Sequence, residues 1–304
     1  MFDPAQAALR THQRGAGAMR RAAALLALAL AAGCAGTATE TAPSPTAQGV
    51  EQRRQAEMAT CMKGKGFKYI AFVAKGKTPS QERQAASNGD YGAMKSFRAK
   101  YGFGHFATYI YPKEFESPMV KPDNPEINPN AQFKSALSEQ QRKAYEKAYD
   151  SCYTAAIQKI TGKVVKSEMD HYEQVEEART QAKSRTLDGE PGLVEKATSM
   201  ADCLRGEGYR TVSANPTAMA TRGYDEARAM VVNLGKSDDI DDSKLGEGQF
   251  FEPMLTAAQA RPYLTKEIKI ALDDLECGKD FYAAYLPKAQ EIEAKVNEEY
   301  GVRT

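Results

Sequence analysis

The sequence predicts an α+β fold, mainly α-helical, made of two related halves that are each stapled by a disulfide. Three observations predict it. An eleven-residue stretch recurs: Met58-Ala59-Thr60-Cys61-Met62-Lys63-Gly64-Lys65-Gly66-Phe67-Lys68 matches Met200-Ala201-Asp202-Cys203-Leu204-Arg205-Gly206-Glu207-Gly208-Tyr209-Arg210. Where the copies differ, most pairs keep their type, as in Met with Leu, Lys with Arg and Phe with Tyr. Each half also carries a capping box ahead of a long helix, and each holds two cysteines besides Cys34.

The elements follow in order. Each repeat copy reads as the end of a helix, a glycine stop and then a strand. Gly64 and Gly206 are placed to take the left-handed conformation that ends a helix. Phe67 to Lys75 has the β-branched and aromatic content of a strand, and Tyr209 to Ser213 has it more weakly. Ser138 with Gln141 makes the first capping box, and Thr256 with Gln259 the second. Behind Ser138, residues Ala144, Tyr145, Ala148, Tyr149, Cys152, Tyr153, Ala156, Ile157 and Ile160 recur at three- and four-residue spacing, so Cys152 lies on an apolar helix face. Lys163 to Leu187 reads as a charged helix joining the halves. Asn215 followed by Pro216 starts another helix, to about Asn233. Thr265 is expected to cap a further helix with Ile268, Ala271, Leu272 and Leu275 on its inner face and Cys277 close by. Pro287 should kink or break the last helix, which Lys288 to Tyr300 continues. The layout is a first half at 50–162, a connecting helix at 163–190 and a second half at 191–304.

The N-terminal segment carries an address. Arg20 and Arg21 precede the apolar run Ala22 to Ala32, which is shorter than the roughly 20 residues that cross a bilayer. Ala31, Ala32 and Gly33 are small and Cys34 follows. This resembles the lipobox of bacterial lipoproteins, in which the cysteine thiol receives a diacylglyceryl group. The aliphatic residue usual three places before the cysteine is Ala31 here, with Leu30 one place earlier. Residues 1–33 are therefore expected to be a signal peptide, with Met19 the better start, and Cys34 the lipidation site. Residues 34–49 form the lipidated cysteine and its tether. Residues 35–48 contain one charge and no large apolar side chain, a composition that does not fold, and such a coil reaches roughly 20 Å. The expected location is the extracytoplasmic face of the cell membrane, with the lipid as the only attachment. Removing residues 1–33 lowers Lys+Arg from 41 to 37 and Asp+Glu from 40 to 39, a formal net charge of −2. No basic excess exists to hold nucleic acid.

Cys61, Cys152, Cys203 and Cys277 suggest two disulfides in an oxidising compartment, with three connectivities open to them. If the halves descend from one unit, each carries its own bridge, Cys61–Cys152 and Cys203–Cys277. The Cys61-Met62-Lys63 element with Gly66-Phe67, the Tyr101-Gly102-Phe103-Gly104 segment, Leu137-Ser138, Cys152-Tyr153 and the stretch from Glu267 to Cys277 are similar to a group of secreted actinobacterial lipoproteins of unknown function. That resemblance covers most of residues 55–285. It implies export and disulfides and supplies no catalytic residues.

The search for chemistry is short. Past the signal segment the histidines are His105 and His171, and no Gly-x-Ser-x-Gly elbow accompanies them. Glu168 and His171 share the Glu-x-x-His spacing of a di-iron bundle, which needs a second such pair, so they read as a solvated helix face. No Cys-x-x-Cys pair occurs. Asp238, Asp239, Asp241 and Asp242 lack the glycine and glutamate of a calcium loop, and Gly235-Lys236-Ser237 lacks the first glycine of a phosphate loop. No metal or cofactor is expected. Phe97 to Phe115 holds seven aromatics, expected as the core of a small α+β unit. Beside them runs a proline-rich loop, Pro112 to Asn130, of a length that is uncommon unless functional or disordered. If a binding site exists, Tyr101, Phe103, His105, Tyr109 and Tyr111 are its residues. The function expected is a non-catalytic binding module for a cell-envelope ligand or protein. The alternative is a secreted cell-envelope hydrolase using His105.

Overall fold

The computed structural model describes residues 47–75, 79–115, 117, 120, 126–236 and 250–303. The signal-like segment, Cys34 and most of its tether, Asp238, Asp239, Asp241, Asp242 and Ser237, and parts of the Pro112 to Asn130 loop lie outside the described residues. Among the described residues there are eleven helices and no strand, so the fold is all-helical and the expected α+β class is corrected.

The correction has a physical reason. The segment after the first repeat is not helical, but no strand among the described residues lies beside it. Its aromatics are apolar because they pack on a helix: Phe67 meets Tyr145 edge-on at 5.3 Å, and Tyr69 meets Tyr149 at 6.2 Å. Its backbone is served by side chains. Asn130 accepts from the Ile70 N–H at 2.8 Å and donates to the Ile70 carbonyl at 2.8 Å, as a neighbouring strand would. Glu126 accepts from the Lys75 N–H. The segment from Tyr209 to Ser213 is likewise without a strand.

The first repeat ends α1 (Ala47–Gly64), which runs antiparallel to α6 (Glu139–Thr161). The Cys61–Cys152 bridge joins them with a Cα separation of 5.6 Å, and Lys159 pairs with Glu57 one turn further on. Helix α6 starts at the Ser138 and Gln141 capping box. Short helices α2 (Gln81–Ser87), α3 (Tyr91–Tyr101), α4 (Ala107–Ile110) and α5 (Pro129–Ser135) lie between α1 and α6 in the chain. Helix α7 (Glu168–Leu187) is the charged one, capped by Ser167.

The second repeat ends α8 (Pro191–Gly206). Helix α9 (Pro216–Gly235) begins at Asn215-Pro216, and α10 (Ala257–Cys277) begins at the Thr256 and Gln259 capping box. The Cys203–Cys277 bridge ties α8 to the end of α10 with a Cα separation of 5.5 Å. Thr265 caps nothing: it lies inside α10 and its hydroxyl donates to the Arg261 carbonyl. Pro287 does not end α11 (Lys279–Tyr300), which is assigned as one helix through it. A Cβ at Gly278, between α10 and α11, would lie 2.7 Å from the Tyr282 ring, 2.8 Å from the Met200 sulfur and 2.8 Å from the Asp274 carbonyl oxygen, so the junction is packed around a glycine.

Three apolar cores result. One joins α8, α10 and α11 around Leu193, Met200, Leu204, Leu275 and Phe281. A second lies between α1 and α6 around Met58, Met62, Tyr153 and Ile157. A third joins α4, α9 and α10 around Phe106, Val231 and Leu264. Helix α3 runs antiparallel along α10, with Tyr91 at Glu276, Arg98 at Asp274 and Gly102 at Glu267. The middle of the first sequence half therefore packs on α10 of the second.

Candidate functional site

Helix α10 carries two carboxylates on its buried stripe. Ala260, Leu264, Glu267, Ala271 and Asp274 recur at four- and three-residue spacing and all are buried, Glu267 and Asp274 completely. Each carboxylate holds part of the segment that begins with α3.

Glu267 is wrapped by the turn that follows α3. Its Oε1 accepts from the backbone N–H of Phe103 at 3.0 Å and of His105 at 2.9 Å, and its Oε2 accepts from Phe106 at 2.9 Å. The turn closes this tightly because two of its residues are glycine. Gly102 has φ +61°, and a Cβ there would lie 2.6 Å from Glu267 Cγ. Gly104 has φ +103°, and a Cβ there would lie 3.0 Å from the Phe115 ring. Burial pushes the Glu267 carboxyl up to about 7, against the amide donors, which favour its charged form.

Asp274 is served by side chains instead. Arg98 Nη1 donates to its Oδ2 at 2.8 Å, and the Tyr282 hydroxyl donates to the same oxygen at 2.6 Å. Arg222 Nε stands 3.5 Å from its Oδ1. The Arg98 guanidinium lies over the Phe103 ring at 4.9 Å and the Tyr282 ring at 4.7 Å, a planar cation between aromatic faces. Gly223 of α9 lets that helix approach, since a Cβ there would lie 2.5 Å from the Phe103 ring and 2.8 Å from Asp274 Oδ1.

The expected binding residues surround this scaffold. Phe103 and His105 point inward. The His105 ring packs on Tyr224 at a centroid distance of 4.4 Å and hydrogen-bonds the Tyr224 backbone, and burial lowers its pKa to about 4. Glu267 takes the His105 backbone N–H, so the carboxylate beside His105 in space is already committed. The Tyr109 hydroxyl donates to the Pro253 carbonyl. Phe106 is fully buried and stacks on Tyr263. Tyr101 and Tyr111 lie at the surface edge of the group. Their rings meet at 5.3 Å and 88°, Phe97 and Phe115 back Tyr101 at 5.1 and 5.2 Å, and Lys100 Nζ lies over both tyrosine rings.

His171 and Glu168 lie elsewhere and do not act together, and His171 is fully buried, which corrects the solvated helix face expected of the pair. Arg54 Nη1 donates to the Tyr153 hydroxyl at 2.7 Å, that hydroxyl contacts His171 Nδ1 at 2.8 Å, and His171 Nε2 contacts the Tyr300 carbonyl at 2.9 Å. A carbonyl only accepts, so Nε2 carries the proton and Nδ1 accepts from Tyr153. Glu168 accepts from the Tyr149 hydroxyl. Among the described residues no three histidine, cysteine, aspartate or glutamate side chains group as a metal site would require, and no helix is long and apolar enough to cross a membrane.

Sequence reasoning missed Arg98, Arg222, Glu267 and Asp274. The signal was a pair of carboxylates seven residues apart at the spacing of an apolar stripe. Comparison with protein-family models, curated proteins and solved structures gave no match to this chain.

Proposed function

We propose that this chain is an exported lipoprotein held at the extracytoplasmic face of the cell membrane by lipid on Cys34, and that its folded part is a non-catalytic binding module. The observation that carries the reading is the run from Arg20 to Cys34: positive start, short apolar stretch, small residues, then cysteine. Two further features support it. Cys61, Cys152, Cys203 and Cys277 are all oxidised, as an oxidising compartment sustains. The aromatic segment is fixed from beneath by Glu267 and Asp274, and a fixed surface loses little freedom on binding. The Tyr101 and Tyr111 edge is the face this scaffold presents.

The anchor is tested by labelling cells with a fatty-acid analogue and comparing wild type with Cys34→Ala. The wild type should take up label and follow the detergent phase, and the variant should do neither. A Cys34→Ala chain that keeps both would sink the reading.

A further inference from the structure

We propose that the end of the bundle where α1 starts is turned to the membrane, and that Val164 and Met169 enter the lipid headgroup layer there. The folded part then touches the bilayer directly as well as through its tether. The inference rests on the anchored-lipoprotein reading and adds an orientation and a contact surface to it.

Four helix ends converge at that place. Val50, in the first turn of α1, and Thr161, the last residue of α6, both meet Gly301 at the end of α11. A Cβ at Gly301 would lie 3.1 Å from Val50 Cγ1 and 2.8 Å from Thr161 Cγ2. The start of α7 joins them through His171 Nε2, 2.9 Å from the Tyr300 carbonyl. The tether enters at this same end, because α1 begins at Ala47 and only residues 35–46 separate it from Cys34. A coil of that length averages roughly 20 Å from end to end. Helix α11 has 22 residues, so its other end lies about 33 Å away. Turning that other end to the bilayer would stretch the tether, whereas the α1 end reaches the lipid without stretching it.

The connection from α6 to α7 displays apolar side chains there. Val164 is 72% exposed, Met169 46% and Tyr172 37%. The display is fixed by the fold. Val165 is buried, Gln174 donates to the Val164 carbonyl at 3.2 Å, and the Lys166 N–H donates to Asp170 at 2.6 Å. Single exposed apolar side chains are ordinary. Three between positions 164 and 172, at the end that carries the tether, make a surface suited to a lipid layer. Tyr172 stands beside Arg54 of α1. A ring with a polar tip is the side chain that favours the boundary between lipid and water. Neighbouring charges are paired in place, Lys163 with Glu299 and Arg54 with Glu51. The contact is therefore apolar and forms on neutral lipid.

The chain contains no tryptophan, so a single introduced tryptophan reports alone. The test places the full lipidated chain, isolated from cell membranes, in phosphatidylcholine vesicles with and without brominated acyl chains. Val164→Trp should be quenched about twofold by the bromine, as expected of a side chain at the boundary of headgroups and acyl chains. Its emission should also lie at shorter wavelength than in the unanchored chain that carries Cys34→Ala as well. Val212→Trp is the control. Val212 is 86% exposed and follows Cys203, which the second bridge ties beside the start of α11 at the far end. It should be neither quenched nor shifted. Adding Met169→Asp to Val164→Trp should abolish most of the quenching while the chain still floats with the vesicles. In a chain that floats, an unquenched Val164→Trp, equal quenching at Val164→Trp and Val212→Trp, or quenching undiminished by Met169→Asp would each overturn the contact and leave the anchor standing. A wild-type chain that does not float would overturn the anchor and this inference with it.

Discussion

The repeat ending at Phe67 and the repeat ending at Tyr209 close their helices with the same hydrogen bonds. In the first, the Phe67 N–H donates to the Met62 carbonyl at 2.9 Å and the Gly66 N–H to Lys63 at 3.0 Å. In the second, Tyr209 donates to Leu204 at 2.8 Å and Gly208 to Arg205 at 3.0 Å. Both are Schellman closures, and φ is +82° at Gly66 and +87° at Gly208. The surroundings differ. Phe67 packs on the aromatic row of α6, in a region whose buried polar groups form a relay from Arg54 through Tyr153 and His171 to the C-terminal helix. The Tyr209 hydroxyl donates to Asp273 of α10 at 2.5 Å, and Arg222 lies over its ring, next to the charged Asp274 cluster. An eleven-residue motif specifies a helix end and a cysteine position. It does not specify the company they keep, which comes from residues 13 to 78 positions away.

The disulfides test that comparison with the largest effect. Chain entropy depends on the logarithm of loop length, so separations of 91 and 74 residues give nearly equal terms, about 4.5 kcal/mol each. The double variants Cys61→Ala with Cys152→Ala, and Cys203→Ala with Cys277→Ala, should therefore lose similar stability in urea unfolding at fixed pH. A gap of more than about 2 kcal/mol between them would show that packing around the bridges outweighs loop closure, and that the repeats are not energetically equivalent.

Asp274→Asn comes next. It leaves Arg98, itself buried, facing a neutral amide, and removing one partner of a buried pair costs roughly 3 kcal/mol or more. Beside the first repeat's bridge the matching test is Tyr153→Phe, which removes a hydrogen-bond partner of both the Arg54 guanidinium and His171 and should cost about 2 kcal/mol. A smaller loss for Asp274→Asn than for Tyr153→Phe would reverse the contrast drawn between the two regions. These long-range partners also mark where sequence reading stops. The capping boxes at Ser138 and Thr256, the Asn215-Pro216 start and the pairing of cysteines within halves were legible because local chemistry or the repeat dictates them. The aromatic run from Phe97 to Phe115 was legible as a composition. Its arrangement around Glu267 was not, because the carboxylate lies more than 160 positions from the turn it holds. The strand expected at Phe67 to Lys75 failed for the same reason: Asn130 and α6, not a second strand, use that segment's hydrogen bonds and apolar side chains.

One buried group from each region, His171 and Glu267, should also answer pH with opposite signs. Burial lowers the pKa of His171, so its stabilising contribution is complete above the unfolded value of about 6.5 and is lost as pH falls below it. His105 follows the same sign, down to about 4. Glu267 has its folded pKa raised to about 7, so its contribution is complete below the ordinary carboxyl value and is lost as pH rises through 7. The cost of His171→Phe, about 2 kcal/mol at pH 7.5, should shrink toward pH 5. The cost of Glu267→Gln should shrink in the other direction, from pH 5 to pH 7.5. Urea unfolding of each variant against wild type at both values gives the slopes. Slopes of the same sign would mean that one of the two groups is not titrating as its burial requires.

The smallest effect separates two readings of the repeat itself. Each copy holds two glycines, and the spacing alone assigns the left-handed stop to Gly64 and Gly206. The structure moves it two residues on, because the Schellman bonds require positive φ at the residue whose N–H reaches back three positions, and those residues are Gly66 and Gly208. Gly64 and Gly206 are instead the last helical residues of α1 and α8. None of the four has an atom within 4 Å of where a Cβ would stand, so backbone conformation alone decides the outcome. Alanine at Gly66 or Gly208 must hold a left-handed φ and should destabilise by about 1 kcal/mol. Alanine at Gly64 or Gly206 keeps a helical backbone and restricts the unfolded chain, and should stabilise by about 0.5 kcal/mol. The sign should alternate within each repeat and agree between repeats, read as shifts in urea midpoint at constant slope. Destabilisation at Gly64 and Gly206 with gain at Gly66 and Gly208 would restore the stop to the earlier glycines. Opposite signs at Gly66 and Gly208 would mean that the two closures, alike in their bonds, are not alike in energy.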